Sequence, residues 1–208
     1  MDGPAESPAD VQALKRQAIV REAREHFVTE GYTATKMEPI ARAAGVSTAT
    51  IYSLFGGKSE LYSAVIDEAC DDFTRRMESI RAIDGDARET LTSFAEDYAD
   101  FMGDPFVRSV FRLVVAERTR FQEVALRFFN HGRAEVGLTL IDLIRRLSAD
   151  GELKPIEHPS WAAGHLVGMI EHPTFFVNLV TGDQIRIRRN RKQIVDDAVE
   201  TFLARYGA

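Results

Sequence analysis

The amino-acid sequence predicts an all-α protein of about nine helices, the first three set as a helix-turn-helix. Two observations carry that reading. Apolar residues recur at spacings of three and four from Val11 to Tyr206, and no segment alternates convincingly with period two as a half-buried strand does. Glycine and proline punctuate those stretches, at Gly31, Gly56-Gly57, Gly103, Asp104-Pro105, Gly151 and Gly182.

Each element has its own justification. Residues 1–10, rich in Pro, Asp, Ser and Ala, read as a mobile tail. A first helix is expected from about Val11 to Glu30, with Ile19, Ala23 and Phe27 on one face and Gly31 as its stop. A short second helix covers about Lys36 to Ala44, where Thr35 and Glu38 have capping-box spacing. Ser47 is a good N-cap for a third helix ending near Phe55. The fourth starts at Lys58 and carries the stripe Leu61, Val65, Ala69, Phe73 and Met77 or Ile80. After a break at Ala82–Ala87, a fifth helix runs to about Met102, with Leu91, Phe94, Tyr98 and Phe101 on one side. Asp104-Pro105 places a cap before a proline at the first helical position and opens the sixth, to about Arg118. The seventh is expected as one helix from about Phe121 to Ala149, loosened or bent by Gly132 and Gly137. The eighth runs from about Ser160 to Val180, kinked by Pro173. The last covers about Asn190 to Tyr206.

Composition narrows the function classes. The 208 residues are 45% hydrophobic and 28% charged, enough for a sizeable core in one or two domains. The single cysteine, Cys70, cannot form an internal disulfide, which suits a reducing compartment. No apolar run approaches the roughly 20 residues that span a bilayer, so no membrane partner is expected. MDGPAESPAD lacks the basic and apolar regions of a signal peptide, so a cytoplasmic location is expected. The net charge of -6 argues against general coating of nucleic acid. It leaves specific binding open, because local charge matters more than the sum.

The segment ARAAGVSTATIYSLF holds the key constellation. Gly45 permits the positive φ of a tight inter-helix turn, Val46 can plug the angle, and Ile51 can pack inward. The third helix then offers Thr48, Ala49, Thr50, Tyr52 and Ser53 outward: hydroxyl, methyl and aromatic groups suited to base edges and phosphates. Few charges are needed, since half to two-thirds of protein–DNA hydrogen bonds go to phosphate and sugar, many from hydroxyls and backbone N–H groups. Ser47, Thr35 and Lys36 sit at helix starts, and Lys58 opens the fourth helix, where the N-terminal dipole favours a phosphate. Lys15, Arg16 and Arg21 add flanking charge.

From Ile19 to Ala69 the chain resembles the N-terminal domain of the tetracycline-repressor (TetR/AcrR) family of transcriptional regulators. The resemblance rests on an ordered set: Phe27, Gly31-Tyr32, Thr35, Ile40-Ala41, Ala44-Gly45-Val46-Ser47, Ile51-Tyr52, Phe55, Lys58 and Leu61. Pro39 inside the second helix and Gly57 before the lysine depart from the pattern. The resemblance implies a homodimer, a helical C-terminal domain, and repression relieved by a small effector. It makes Tyr52 the backbone-contacting aromatic and Lys58 the phosphate lysine. Residues 11–57 would form the DNA-binding domain and 58–208 the ligand-binding and dimerisation domain. The partners would be a palindromic double-stranded operator, a small hydrophobic or aromatic molecule, and a second copy of the chain.

The C-terminal half, from about Phe106 to Asp183, resembles one AcrR-like branch of that family, which implies a four-helix dimer bundle from the last two long helices. Gly164 and Gly168 would let helix backbones approach, with Trp161, Phe175, Phe176, Val199 and Phe202 adding apolar area. Phe101, Phe111, Phe128 and Phe129 are the expected effector lining. His158, His165 and His172 recur every seven residues, about 10.5 Å along a helix, too far for two to share one ion; no metal or other cofactor is expected. The basic run IRIRRNRKQ, 185–193, reads as a solvated loop and helix start. No nucleophile motif, phosphate-cradling glycine loop or metal spacing supports an enzyme. The alternative is a helical protein-interaction module without sequence-specific DNA binding.

Overall fold

A serine and an aspartate start the first helix. In the computed structural model, which describes residues 7–78, 85–182, 184–185 and 187–208, Ser7 Oγ accepts from the Asp10 N–H and the Asp10 carboxylate accepts from the Ser7 N–H. That capping box, with Pro8 at the first helical position, begins α1 (Pro8–Ala34) three residues before the expected start. The remainder of the expected tail, the break at 82–84 and Asp183 lie outside the described residues, as do the side chains of 76–78, 133 and 135.

The remaining elements are α2 (Met37–Ala43), α3 (Thr48–Phe55), α4 (Lys58–Glu78), α5 (Ala87–Gly103), α6 (Pro105–Glu117), α7 (Gln122–Gly132), α8 (Thr139–Ala149), α9 (Pro159–Glu171), α10 (Val177–Thr181) and α11 (Arg191–Tyr206). Two π-helical segments, Arg133–Leu138 and His172–Phe176, join α7 to α8 and α9 to α10. Counted as continuous rods, the described residues hold nine helices and no named strand.

The chain divides into two compact units: the residues up to Ala69 with Leu113–Ala125, and Cys70–Arg112 with Leu126–Ala208. The division falls inside α4 rather than before Lys58, because Leu61, Tyr62 and Val65 of its first half are buried in the first unit. There Ile19, Ala23 and Phe27 of α1 join Ile40 of α2 and Ile51 of α3 in one fully buried set. Removing a ring such as Phe27 from such a core costs about 3–5 kcal/mol. Gly31 breaks α1 with φ 78° and ψ 161°, a region open only to glycine.

In the second unit α11 packs on α5 and α9, and α8 on α9. Leu91, Phe94, Leu140, Ile144, Leu166, Ile170 and Phe202 form its centre. The seventh helix, expected as one rod loosened or bent by Gly132 and Gly137, is π-helical over Arg133–Leu138, directly after Gly132 and across Gly137. The second π segment follows from Pro173, which has no N–H for the helical ladder. The Val177 N–H instead reaches back five residues to the His172 carbonyl. The chain end is pinned by Lys154 N–H to the Tyr206 carbonyl, 2.9 Å, and Ala208 N–H to the Glu152 carbonyl, 3.2 Å.

Candidate nucleic-acid interface

The turn between α2 and α3 is built from backbone geometry. Gly45 takes φ 68°, so the Gly45 N–H can reach the Arg42 carbonyl and the Val46 N–H the Ala41 carbonyl. Ser47 Oγ then caps α3, accepting from the Thr50 N–H at 3.1 Å and lying 2.9 Å from the Thr50 hydroxyl. Gly56, at φ 89°, closes the helix with its N–H on the Tyr52 carbonyl.

Eight residues of helix therefore have fixed ends and one fixed face. Ile51 and Phe55 turn into the core. Ser47, Ala49, Tyr52 and Ser53 are exposed, and Thr48 and Thr50 are half-exposed. The Tyr52 side chain is 52% exposed although its neighbour Ile51 is fully buried. That split is what a helix needs in order to lie in a major groove.

Two positions differ from expectation. Thr35 is only 2% exposed, and its hydroxyl donates to the carbonyls of Gly31 (2.8 Å) and His26 (3.1 Å). The hydroxyl is turned back onto α1, so the Thr35 side chain is neither a DNA contact nor a cap. The expected Thr35–Glu38 capping box is not made; Lys36 occupies the N-cap of α2 without a side-chain bond and is exposed. Lys58 is half-buried. Its ammonium sits 4.6 Å from the Tyr32 ring centre and donates to the Thr33 carbonyl at 3.3 Å. Burial, followed by the nearby Arg120 charge, lowers its pKa.

An aromatic knot behind α4, not anticipated from spacing, holds that lysine. Tyr62 stacks on Phe121 (4.6 Å) and meets Phe27 and Tyr32 edge-on. Burial and the charge of Glu117 push the Tyr62 hydroxyl pKa far above its usual value, so it stays protonated.

In the second unit, Phe111 packs edge-on against Phe128 (4.8 Å) and Phe175 (4.7 Å), and Phe101 lies against Phe73 (4.2 Å). Phe175 was expected on a dimer face; the π segment turns it into this cluster instead. Phe129 was expected as lining, but it is 62% exposed, because α7 turns it away from the side that carries Phe128. Sequence spacing also missed Arg108, 3% exposed, whose guanidinium donates to the Gly103 carbonyl at 2.5 Å. An arginine between Val107 and Val110 was the only signal. Tyr98 donates to Glu171, and burial raises its pKa well above the ordinary value.

The expected dimer residues separate into two groups. Trp161 (66% exposed), Gly164, Gly168 and Phe176 share the outer face of α9 and its π extension, with nothing within 4 Å of a Cβ built on either glycine. Val199 and Phe202 are 1% exposed and belong to the subunit's own core, because α11 buries that face against α5 and α9. His158 lies against Trp161, His165 Nδ1 is 2.7 Å from the Tyr206 hydroxyl, and His172 stacks on Phe176. No helix among the described residues is long and apolar enough to cross a membrane.

A capped helix with a packed inner face and a hydroxyl-rich outer face, joined through a glycine turn to a second helix, defines a helix-turn-helix transcriptional regulator. Comparison with known proteins agrees. Residues 19–65 match the family model of bacterial regulatory proteins of the tetR family, and residues 89–208 match that of the AefR-like transcriptional repressor C-terminal domain. The chain belongs to the TetR family of transcriptional regulators. It is 26% identical to a TetR-family transcriptional regulator of known crystal structure from Mesorhizobium loti, with a TM-score of 0.85, covering 98% of this chain and 100% of that one. The regulator FadR from Bacillus subtilis, solved in complex with stearoyl-CoA, shares the fold at 20% identity and a TM-score of 0.68, over 90% of this chain and 97% of that one. The HTH-type transcriptional activator FasR of Mycolicibacterium smegmatis is 34% identical over 88 residues, which are 42% of this chain and 40% of that protein.

Proposed function

We propose that the chain is a ligand-responsive repressor, acting in the cytoplasm, that binds a palindromic operator as a homodimer and is released by a small hydrophobic or aromatic effector. The observation that carries the DNA reading is the outward face of α3, with Tyr52 exposed between inward Ile51 and Phe55. Ser47, Thr48, Ala49, Thr50, Tyr52 and Ser53 meet the major groove, while Lys36 and Lys58 meet phosphates. For two recognition helices to read half-sites one turn apart they stand roughly 34–36 Å apart. The free face of α9, with Trp161, Gly164, Gly168 and Phe176, joins the two copies.

The effector lies against Phe101, Phe111 and Phe128. Support comes from the ring cluster and from a protein of the same fold solved with stearoyl-CoA. An effector that favours the state with misplaced recognition helices by about 1–3 kcal/mol weakens operator binding 5- to 150-fold. Repression is favoured by the AefR-like repressor match over 89–208, against the activator FasR, which matches less of the chain.

The test is selection of duplexes from a randomised pool, then measurement of affinity for the selected site with and without Tyr52→Ala plus Lys58→Ala. Wild type should select a palindrome and the double variant should lose at least tenfold at physiological salt. Equal binding by the two proteins, or no selected sequence, overturns the DNA reading and leaves the protein-interaction alternative. A reporter that falls on deletion of the gene would reverse the sign of regulation.

A further inference from the structure

The DNA-binding family match begins at Ile19, yet α1 begins at Pro8. Its first turn is ordered by a complete capping box, and residues 8–15 line one groove with α3. Between the two lies an open groove of about 460 Å³. Gln12 and Lys15 line one side and Thr50 and Ser53 the other; Val11 and Leu54 add apolar surface.

The chemistry of that lining selects its occupant. Among the described residues it holds one cation, one amide and several hydroxyls, and no carboxylate. The acidic residue of the first α1 turn, Asp10, is committed to the Ser7 N–H and hydroxyl. Arg16, the next cation along, is held with its guanidinium 4.5 Å above the Phe55 ring, at the C-terminal end of α3. A strand of nucleic acid offers the matching sequence of groups: anionic phosphates for the lysine and hydroxyls, and sugar carbons for the apolar patches. The groove shares Ser47, Ala49, Thr50 and Ser53 with the proposed recognition face, so a duplex seated there brings its backbone to the same place.

We propose that Pro8–Lys15 forms the second wall of a phosphodiester-binding groove, in which Lys15 and Gln12 hold one DNA strand opposite the α3 hydroxyls. This rests on the DNA-binding reading above. The start of α1 thereby adds affinity and fixes the register of α3 in the duplex.

The experiment uses the full chain and the duplex that wild type selects from a randomised pool, with affinity measured across salt concentrations. Gln12→Ala plus Lys15→Ala should weaken binding about tenfold at every sequence tested. The slope of log affinity against log salt should flatten by about 0.9, the value for one lost phosphate contact. Lys15→Arg should restore the slope. Both residues are exposed, so far-ultraviolet circular dichroism should match wild type. An unchanged affinity and slope in the double variant, with wild type still binding in a salt-dependent way, overturns the groove and spares the DNA reading. If wild type retains no duplex at low salt, the DNA reading fails and takes the groove with it.

Discussion

The Lys58 ammonium lies 4.6 Å from the centre of the Tyr32 ring. The lysine that the family pattern assigns to a phosphate is thus held within its own subunit, over an aromatic face and on the Thr33 carbonyl. A half-exposed cation–π contact contributes about 0.5–1 kcal/mol, little enough to be surrendered or kept when a phosphate approaches. Lys58→Gln should therefore lower stability by no more than about 1 kcal/mol and weaken operator binding about tenfold, flattening the salt slope by about 0.9. Thermal unfolding and binding titrations at several salt concentrations check both arms. A stability loss with unchanged DNA affinity would make Lys58 purely a partner of Tyr32.

Phe121 stacks on Tyr62 at 4.6 Å and meets Tyr32 edge-on at 4.8 Å. It is half-buried, so Phe121→Ala should cost about 2–3 kcal/mol, below the range for a fully buried ring. Phe121→Leu keeps apolar area but loses the ring pairs, and should cost about 1 kcal/mol. Urea unfolding at constant slope measures the difference. Equal losses for the two variants would mean that the ring geometry contributes nothing.

Thr35 separates structure from DNA contact. Thr35→Val keeps the shape and removes the hydroxyl's bond back to the Gly31 and His26 carbonyls, while the residue 35 backbone N–H still reaches the Gly31 carbonyl at 3.3 Å. The expected loss is about 0.5–1.5 kcal/mol of stability with no change in the salt slope of DNA binding. A flatter slope would return the threonine to the interface.

The free face of α9 tests the dimer. A Cβ at Gly168 meets nothing within 4 Å in the single subunit, so Gly168→Leu should fit and gain helix propensity of about 0.8–1 kcal/mol. Across a close helix crossing the same side chain clashes. Sedimentation should find Gly168→Leu monomeric where wild type is dimeric, with intact helix content and weakened operator binding. A dimeric variant would move the interface off this face.

Much of the helix-turn-helix was legible because its determinants are local. Ser47 caps α3 by a bond that reaches three residues, and Gly45 and Gly56 take the positive φ that their turns require. Ile19, Ala23, Phe27 and Ile51 were assignable to the interior from period alone, and all four are fully buried. Thr35 misled because a threonine before a short helix has two local uses, capping forward or bonding back. The fold decided between them by burying the side chain against α1, with its hydroxyl on the Gly31 and His26 carbonyls.

By itself, then, the sequence determined where helices start, stop and turn, and which stripe of each is apolar, because capping bonds, φ preferences and helical period act over a few residues. Only the tertiary structure decided which apolar groups meet. Phe175 faces Phe111, Val199 and Phe202 fill the subunit core, and Phe129 stays outside. Those choices depend on how helices far apart in the chain dock, and burial is a property of that docking rather than of any one helix.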